Sequence, residues 1–276
     1  MSARENNRSL RDAAAVEPLG PGRYVVTISD DYTVVGRPNG GYLQCVLGSG
    51  ALAAASDAGA PHLHVTSITT NYMSAPSLGR AELSTDVRRV GRGVSFVHVT
   101  LEQENVVTTE SLVTLGTLHE DSKLRYLDAT PPLVAPLEEC LRRTAVEEVK
   151  LMGVVDFRLD PSSAGWLDGV RSERGEVLGW VRLDDGASGW DAWSLLFASD
   201  GLPPGTFALG SSGWVPTLQL TTYVRRIPVG EWLRARQWCI VIADGTVDER
   251  CELFDERDQL VASSSQLAMV RFPEPE

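Results

Sequence analysis

Histidine is scarce in this 276-residue chain and absent from its second half; His62, His64, His98 and His119 are the whole set. They form no HExxH or comparable ligand spacing, so neither a metal site nor a cofactor is expected. Cysteine is equally thin. Cys45, Cys140, Cys239 and Cys251 lie far apart with no CxxC pair, which reads as reduced structural thiols rather than a disulfide framework. No GxSxG elbow occurs and the histidines have no evident serine partner, which speaks against a serine hydrolase. Long apolar runs are missing too. The opening stretch MSARENNRSLRDAAAVEP reads as a polar tail, so neither a signal peptide nor a membrane span is expected, and the expected location is cytoplasmic. Positive charge is the minority sign, 25 Lys and Arg against 37 Asp and Glu, for a net charge of −12. That balance argues against nucleic-acid or anionic-membrane partners and leaves room for a small anionic ligand met by a local basic patch.

What is present is an ordinary globular composition, 43% hydrophobic and 22% charged, enough for one large or two modest cores. Residues 22–29 alternate as a strand, with 32–35 a second short one. Asn39 is placed to cap a helix over 40–56, YLQCVLGSGALAAAS, which is apolar on nearly every side and therefore buried all round. Gly48, Gly50 and the alanines make it slim enough for another backbone to approach closely. Four strands rich in Thr and Val follow, at 64–73, 80–90, 94–103 and 106–118. Residues 120–150 break the pattern with Pro131, Pro132 and Pro136 and then a charged helix over 137–150, and read as a linker. The order then restarts, with strands at 152–158 and 176–183, a helix over 188–200, and strands at 215–224, 232–242, 246–254 and 259–270. A shift of 151 residues carries Tyr72 onto Tyr223, Gly79 onto Gly230, Thr70 onto Thr221 and Tyr42 onto Trp193, so the chain reads as an internal repeat. The expectation is an α+β protein with a polar tail (1–19), a first half (20–119), the linker (120–150) and a second half (151–276). Each half is a central helix wrapped by an antiparallel sheet.

The second helix holds the most unusual local feature. Ser188 fits an N-cap, with Asp191 three residues on. Trp193, Leu196 and Phe197 form one apolar stripe, and Asp200 continues that stripe rather than the wet face. Two readings stand: a carboxylate at a frayed helix end in water beside Gly201, Pro203 and Pro204, or one set against a core. The second is costly unless the group is paired or working.

A buried helix wrapped by an antiparallel sheet, given twice in one chain, resembles the double hotdog fold. LLFASD, PTLQLTTYVRR and LVASSSQLAMVR, in that order, resemble the C-terminal half of the acyl-CoA thioesterase II family. PNGGYL and YMSAPSLGRAELSTDVRRVGRGVSF resemble its first half, and the likeness covers residues 20–272 except the linker and the loop after Asp200. The resemblance implies hydrolysis of fatty acyl-CoA to free acid and CoA. It also implies a site made of an Asp late in the second helix, a Thr heading the next strand and a Gln in the last strand, here Asp200, Thr217 and Gln266. Asp200 would accept a proton from water while Thr217 and Gln266 fix that water's direction. Taken singly, Thr217 and Gln266 are ordinary strand residues.

Shifting the trio back by 151 gives Ser49, Thr66 and Leu115, so a hydrolytic site is expected once only. The start of the first helix, Gly40, Gly41 and Tyr42, is the expected oxyanion and substrate contact; equally, the glycines serve only to turn the chain. Arg88, Arg89 and Arg92 in VRRVGRG form a basic hairpin that either meets CoA phosphates or is a solvated turn, and Arg225 and Arg226 are a second pair. Leu196, Phe197, Val46 and Leu47 are the expected acyl-chain wall. Two other readings stay open. A hotdog hydratase or dehydratase would need an Asp–His pair, and the second half has no histidine; a non-catalytic acyl-CoA or acyl-chain binding hotdog protein would need no chemistry at all. Exposed sheet edges make association into homo-oligomers an expectation.

Overall fold

The Thr- and Val-rich segments alternate buried and exposed side chains, as strands with one wet face must. The computed structural model describes residues 8–121, 124–143, 146–186 and 189–273. In chain order these give α1 (Leu10–Ala13), β1 (Glu17–Gly20), β2 (Arg23–Ile28), β3 (Thr33–Val34), β4 (Arg37–Pro38) and the central helix α2 (Gly40–Asp57). β5 (His64–Tyr72), β6 (Gly79–Val90), β7 (Ser95–Gln103) and β8 (Val106–Gly116) complete the first half. The second comprises β9 (Leu141–Arg142), β10 (Val155–Leu159), β11 (Glu176–Leu183), the short helix α3 (Leu195–Ala198), β12 (Thr217–Val224), β13 (Leu233–Ala243), β14 (Thr246–Phe254) and β15 (Leu260–Met269).

Among the described residues thirteen strands form one sheet, in the order β1-β2-β6-β7-β8-β5-β12-β15-β14-β13-β11-β10-β9. The halves meet at the β5–β12 seam, where Thr70 faces Leu220 and Thr69 faces Thr221. The shift of 151 maps that seam onto itself, and it carries β7 onto the span of β14. The repeat is therefore a local two-fold. One buried cluster runs from Leu10 through α2 and α3 to Ala262, so the halves share a core. This is the expected α+β arrangement of two central helices under one antiparallel sheet. The sheet ends in a four-residue strand on one side and a two-residue strand on the other, so its edges are short. No helix among the described residues is long and apolar enough to cross a membrane.

Four local expectations need correction. Ser188 lies outside the described residues, and α3 is far shorter than 188–200. Asp191 opens its turns instead: Asp191 Oδ1 accepts from Ser194 N–H at 2.7 Å and Ser194 Oγ from Asp191 N–H at 2.8 Å. Backbone bonds of mixed i−3 and i−4 span carry the chain to Gly201, and Pro203 and Pro204 stop it there.

The charged helix over 137–150 does not form. Leu141 and Arg142 pair with Leu159 and Arg158 as the outermost strand, and Lys150–Gly153 is a single 3-10 turn. Charge pairs at i,i+4 are worth only about 0.2–0.5 kcal/mol each to a helix, less than edge pairing and the burial of Cys140 and Leu151.

The tail is also partly structural. Leu10, Ala13 and Ala14 are buried, and the Arg11 guanidinium pairs with Asp191 and lies 5.0 Å from the Trp193 ring centre.

Finally, the close backbone approach on α2 is at Gly41, because Gly48 and Gly50 face the side chains of Leu196 and Leu83. A Cβ on Gly41 would stand 2.8 Å from the carbonyl oxygens of Leu196 and Phe197. Gly41→Ala is therefore expected to lower the unfolding free energy by about 1–3 kcal/mol through overpacking. Urea denaturation checks this, and a stability equal to the parent would exclude the contact.

Candidate active site

The start of α2 abuts the end of α3, and one side chain joins them. Asn39 Oδ1 accepts from Tyr42 N–H at 3.0 Å, which caps α2. Asn39 Nδ2 donates to the Asp200 backbone carbonyl at 2.9 Å and to Asp200 Oδ2 at 3.0 Å. Gly41 N–H donates to the same Oδ2 at 2.9 Å. Tyr72 donates its hydroxyl to the Gly40 carbonyl at 2.8 Å, and a Cβ on Gly40 would stand 2.9 Å from Asp200 Oδ2. The solvated-end reading of Asp200 is thus excluded: its carboxylate is partly buried and held across the halves by a helix start. Burial pushes this carboxyl up to about 7; Glu249 adds to the rise, while hydrogen bonds from Gly41, Asn39 and Gly40 oppose it.

The facing sheet supplies the other two polar groups. Thr217 heads β12 and Gln266 lies on β15, with a register irregularity between Thr217 and Gln219 that fits a bulge turning a side chain inward. Thr217 Oγ1 donates to Gln266 Oε1 at 2.9 Å, and Gln266 Nε2 donates to Glu249 Oε2 at 2.7 Å. Asp200, Thr217, Gln266, Gln237, Tyr72 and Gly40 all line one cavity of about 500 Å³. Its apolar walls come from Leu43, Met73, Leu151, Met152, Phe157 and Trp214, among others, so both halves and the segment between them contribute. Arg37 and Arg143 also line it, the latter 5.8 Å from the Trp166 ring centre. Asn39 as the holder of Asp200, Tyr72, Gln237, Glu249, Arg37 and Arg143 all escaped the sequence reading. Only Asn39 left a signal, as a helix cap.

Other expected residues fall elsewhere. Gly41 N–H is committed to Asp200. Tyr42 is a core residue: its N–H goes to Asn39, its ring stacks on Tyr32 at 4.9 Å, and its hydroxyl donates to the Ala13 carbonyl at 2.7 Å. Leu196, Phe197, Val46 and Leu47 are fully buried and outside the cavity wall. Arg88, Arg89 and Arg92 do not line the cavity, nor do Arg225 and Arg226. The Arg88 hairpin is level with the start of β5, since Ser95 pairs with Leu115 and Leu115 with Val65, whereas the cavity takes Tyr72 and Met73 from that strand's far end. At about 3.3 Å per residue the separation along the strand is roughly 25 Å.

A second recess of about 420 Å³ includes Ser49, Leu52, Leu63, Asp191 and Trp193 in its lining. Shifted by 151, Ser49, Leu52 and Leu63 become Asp200, Pro203 and Trp214 of the main cavity, while Asp191 shifts back to its Gly40. It is the two-fold mate of the first, without a carboxylate at the position of Asp200.

Residues 28–116 match the family model for the acyl-CoA thioesterase N-terminal domain, and residues 131–270 that for the acyl-CoA thioesterase C-terminal domain. A Thermobifida fusca YX protein provisionally assigned as a thioesterase II is 34% identical, with a TM-score of 0.86 over 97% of this chain and 98% of that one. A hotdog-fold protein of unknown function from Alicyclobacillus acidocaldarius has a TM-score of 0.81 over 96% and 98%, at 19% identity, a likeness of fold alone. An uncharacterised protein of Mycobacterium tuberculosis H37Rv is 28% identical over 291 residues, 96% of this chain and 99% of that protein. The fold is a double hotdog, and the chain belongs to the acyl-CoA thioesterase family, carrying that family's N-terminal and C-terminal domains in tandem.

Proposed function

We propose that this chain hydrolyses fatty acyl-CoA to free acid and CoA, with water activated by Asp200, Thr217 and Gln266. The observation that carries the reading is their convergence, from the turn after α3, β12 and β15, on one apolar-walled cavity whose carboxyl is raised to about 7. With Oδ2 held by Asn39 and Gly41, Asp200 takes the water's proton on its other oxygen. Thr217 gives its hydrogen to Gln266, so its oxygen is free to accept the water's second hydrogen. The water oxygen bonds to the thioester carbonyl carbon, and negative charge develops near the N-terminal end of α2, where Gly40 lines the cavity. Collapse breaks the C–S bond, and the proton on Asp200 passes to the departing thiolate. The start of α2 thus serves first to hold the base. Arg37 and Arg143, rather than Arg88, Arg89 and Arg92, meet the anionic CoA end, because they line the cavity.

A panel of acyl-CoA thioesters with a free-thiol readout tests this directly. The purified protein releases thiol, Asp200→Asn lowers the rate by roughly 10²–10⁴-fold as expected for loss of a general base, and Ser49→Ala leaves it unchanged. Full activity in Asp200→Asn would sink the mechanism, and acyl-CoA binding without thiol release would favour the non-catalytic reading.

The base form must be the ionised one, so log kcat/KM is expected to climb with pH and level off above an acid limb near 7. The same shift acts on stability with a definite sign. A carboxyl raised from 3.8 to about 7 binds more protons folded than unfolded across that window, so stability falls as pH rises through it. The stability of Asp200→Asn relative to the parent should therefore improve between pH 4.5 and 8; a difference independent of pH would contradict the raised carboxyl. Arg37→Gln and Arg143→Gln are expected to raise KM with little change in kcat, and steady-state kinetics that show the reverse would remove them from CoA recognition.

A further inference from the structure

Behind Gln266, and outside the cavity wall, stands Glu249 on β14, with none of its surface exposed. β14 lies between β13 and β15, and Glu249 is paired across them with Cys239 and with Gln266. Its Oε2 accepts from Gln266 Nε2 at 2.7 Å and from Gln237 Nε2 at 2.9 Å. Its Oε1 accepts from Thr206 N–H at 3.3 Å and from the Cys239 thiol at 3.5 Å. The backbone N–H of Thr206 can only donate, and a carboxylate among donors can only accept. That arrangement dictates the rotation of both glutamine amides. Each turns its NH₂ to Glu249, which leaves the Gln266 carbonyl for the Thr217 hydroxyl. A flipped Gln266 would set its carbonyl against the carboxylate and lose that bond, and its NH₂ would make the Thr217 hydroxyl an acceptor from the amide.

We propose that Glu249 is the positioning residue of this site: a buried carboxylate that touches no substrate and locks Gln266 in the orientation that makes Thr217 a donor to the amide and an acceptor to the water. The proposal rests on the roles given above to Asp200, Thr217 and Gln266. It has an electrostatic consequence as well. The titratable groups facing Asp200 from the elements around it are Tyr72 on β5 and Glu249 and Cys251 on β14, while Arg37 and Arg143 share the cavity wall. The four bonds to Glu249 include no cation, so its charge opposes ionisation of Asp200.

The test compares Glu249→Gln, Glu249→Asp, Gln266→Leu and the Glu249→Gln/Gln266→Leu pair by kcat, KM and pH profile. Glu249→Gln is expected to lower kcat by roughly 10–100-fold, by analogy with groups that orient metal ligands from behind, with KM nearly unchanged. Its acid limb in log kcat/KM should move to lower pH. Glu249→Asp keeps the charge but is shorter, so kcat falls while the acid limb stays. In the Gln266→Leu background Glu249→Gln should add no further loss, because there is no amide left to orient. Wild-type kcat in Glu249→Gln, or a full additional loss in the double variant, overturns the proposal. If Glu249→Gln does not fold, unchanged kcat in Glu249→Asp does so. A parent protein that releases no thiol would fail the hydrolytic reading alone. The positioning role is then read from the side-chain amide ¹⁵N–¹H signals of Gln266, which should exchange slowly in the parent and faster in Glu249→Asp; equal exchange rejects it.

Discussion

The carboxamide of Asn39 is the contact on which the rest of the site depends. Its oxygen caps α2 and its nitrogen grips Asp200 twice, at the backbone carbonyl and at the carboxylate. A cap and a ligand-holding group are normally separate expenses of sequence; here one residue performs both because α3 ends where α2 begins. Gly41 makes this geometry attainable, since its missing Cβ lets the last carbonyls of α3 come within contact of the α2 start. Two opposed effects then set the proton affinity of Asp200. Hydrogen bonds from the helix start favour the ionised form, and burial with the nearby charge of Glu249 favours the neutral one. Burial wins, and the balance falls near neutrality, where a carboxylate is both basic enough to deprotonate water and ionised enough to act.

The local two-fold makes two recesses and arms one. Position by position, Ser49 stands where the second recess would need Asp200, Leu115 where it would need Gln266, and His98 where it would need Glu249. Thr66 retains the hydroxyl of Thr217 but donates it to the Thr114 carbonyl, within the sheet. The whole carboxylate–amide–hydroxyl chain is therefore missing from that side, and not merely its base. Asp191, which does sit in the second recess, is occupied with capping α3 and pairing with Arg11. From the N-terminal segment Arg11 lines that recess, while Leu10, Ala13 and Ala14 are buried in the core that the halves share.

The sheet and central helix were legible because their signals are local and periodic. Alternating Thr and Val mark β5 to β8, an all-apolar run marks α2, and the repeat shift transfers both to the second half. The expectation of the trio rested on resemblance alone, since Thr217 and Gln266 carry no mark of their own. What failed were judgements that depended on distant partners. The charged stretch after Pro136 has helical charge spacing, yet its neighbour in space is the bare edge of β10, and strand pairing at Leu141 and Arg142 prevailed. Tyr42 was expected to meet substrate, but its ring stacks on Tyr32 and its hydroxyl donates to the Ala13 carbonyl. The basic hairpin of Arg88, Arg89 and Arg92 is as basic as it looked; its place at the wrong end of β5 is a matter of register, which residue type does not encode.

That division between what repeats and what does not runs through the site itself. The polar groups stand on repeated elements, at the ends of a central helix and on paired strands. Part of the wall that would hold an acyl chain comes from segments without counterparts: Arg143, Val149, Leu151 and Met152 between the halves, and Trp166 and Phe207 in 3-10 turns. A frame fixed by strand register holds the carboxylate and amide to a set geometry, which the proposed hydrolysis would require. Chain length and shape, by contrast, are read by apolar contact, where each methylene is worth only about 1–3 kcal/mol and many arrangements of side chains suffice. On the proposed reading, segments outside the repeat could change the acyl chain accepted while Asp200, Thr217, Gln266 and Glu249 stay where they are.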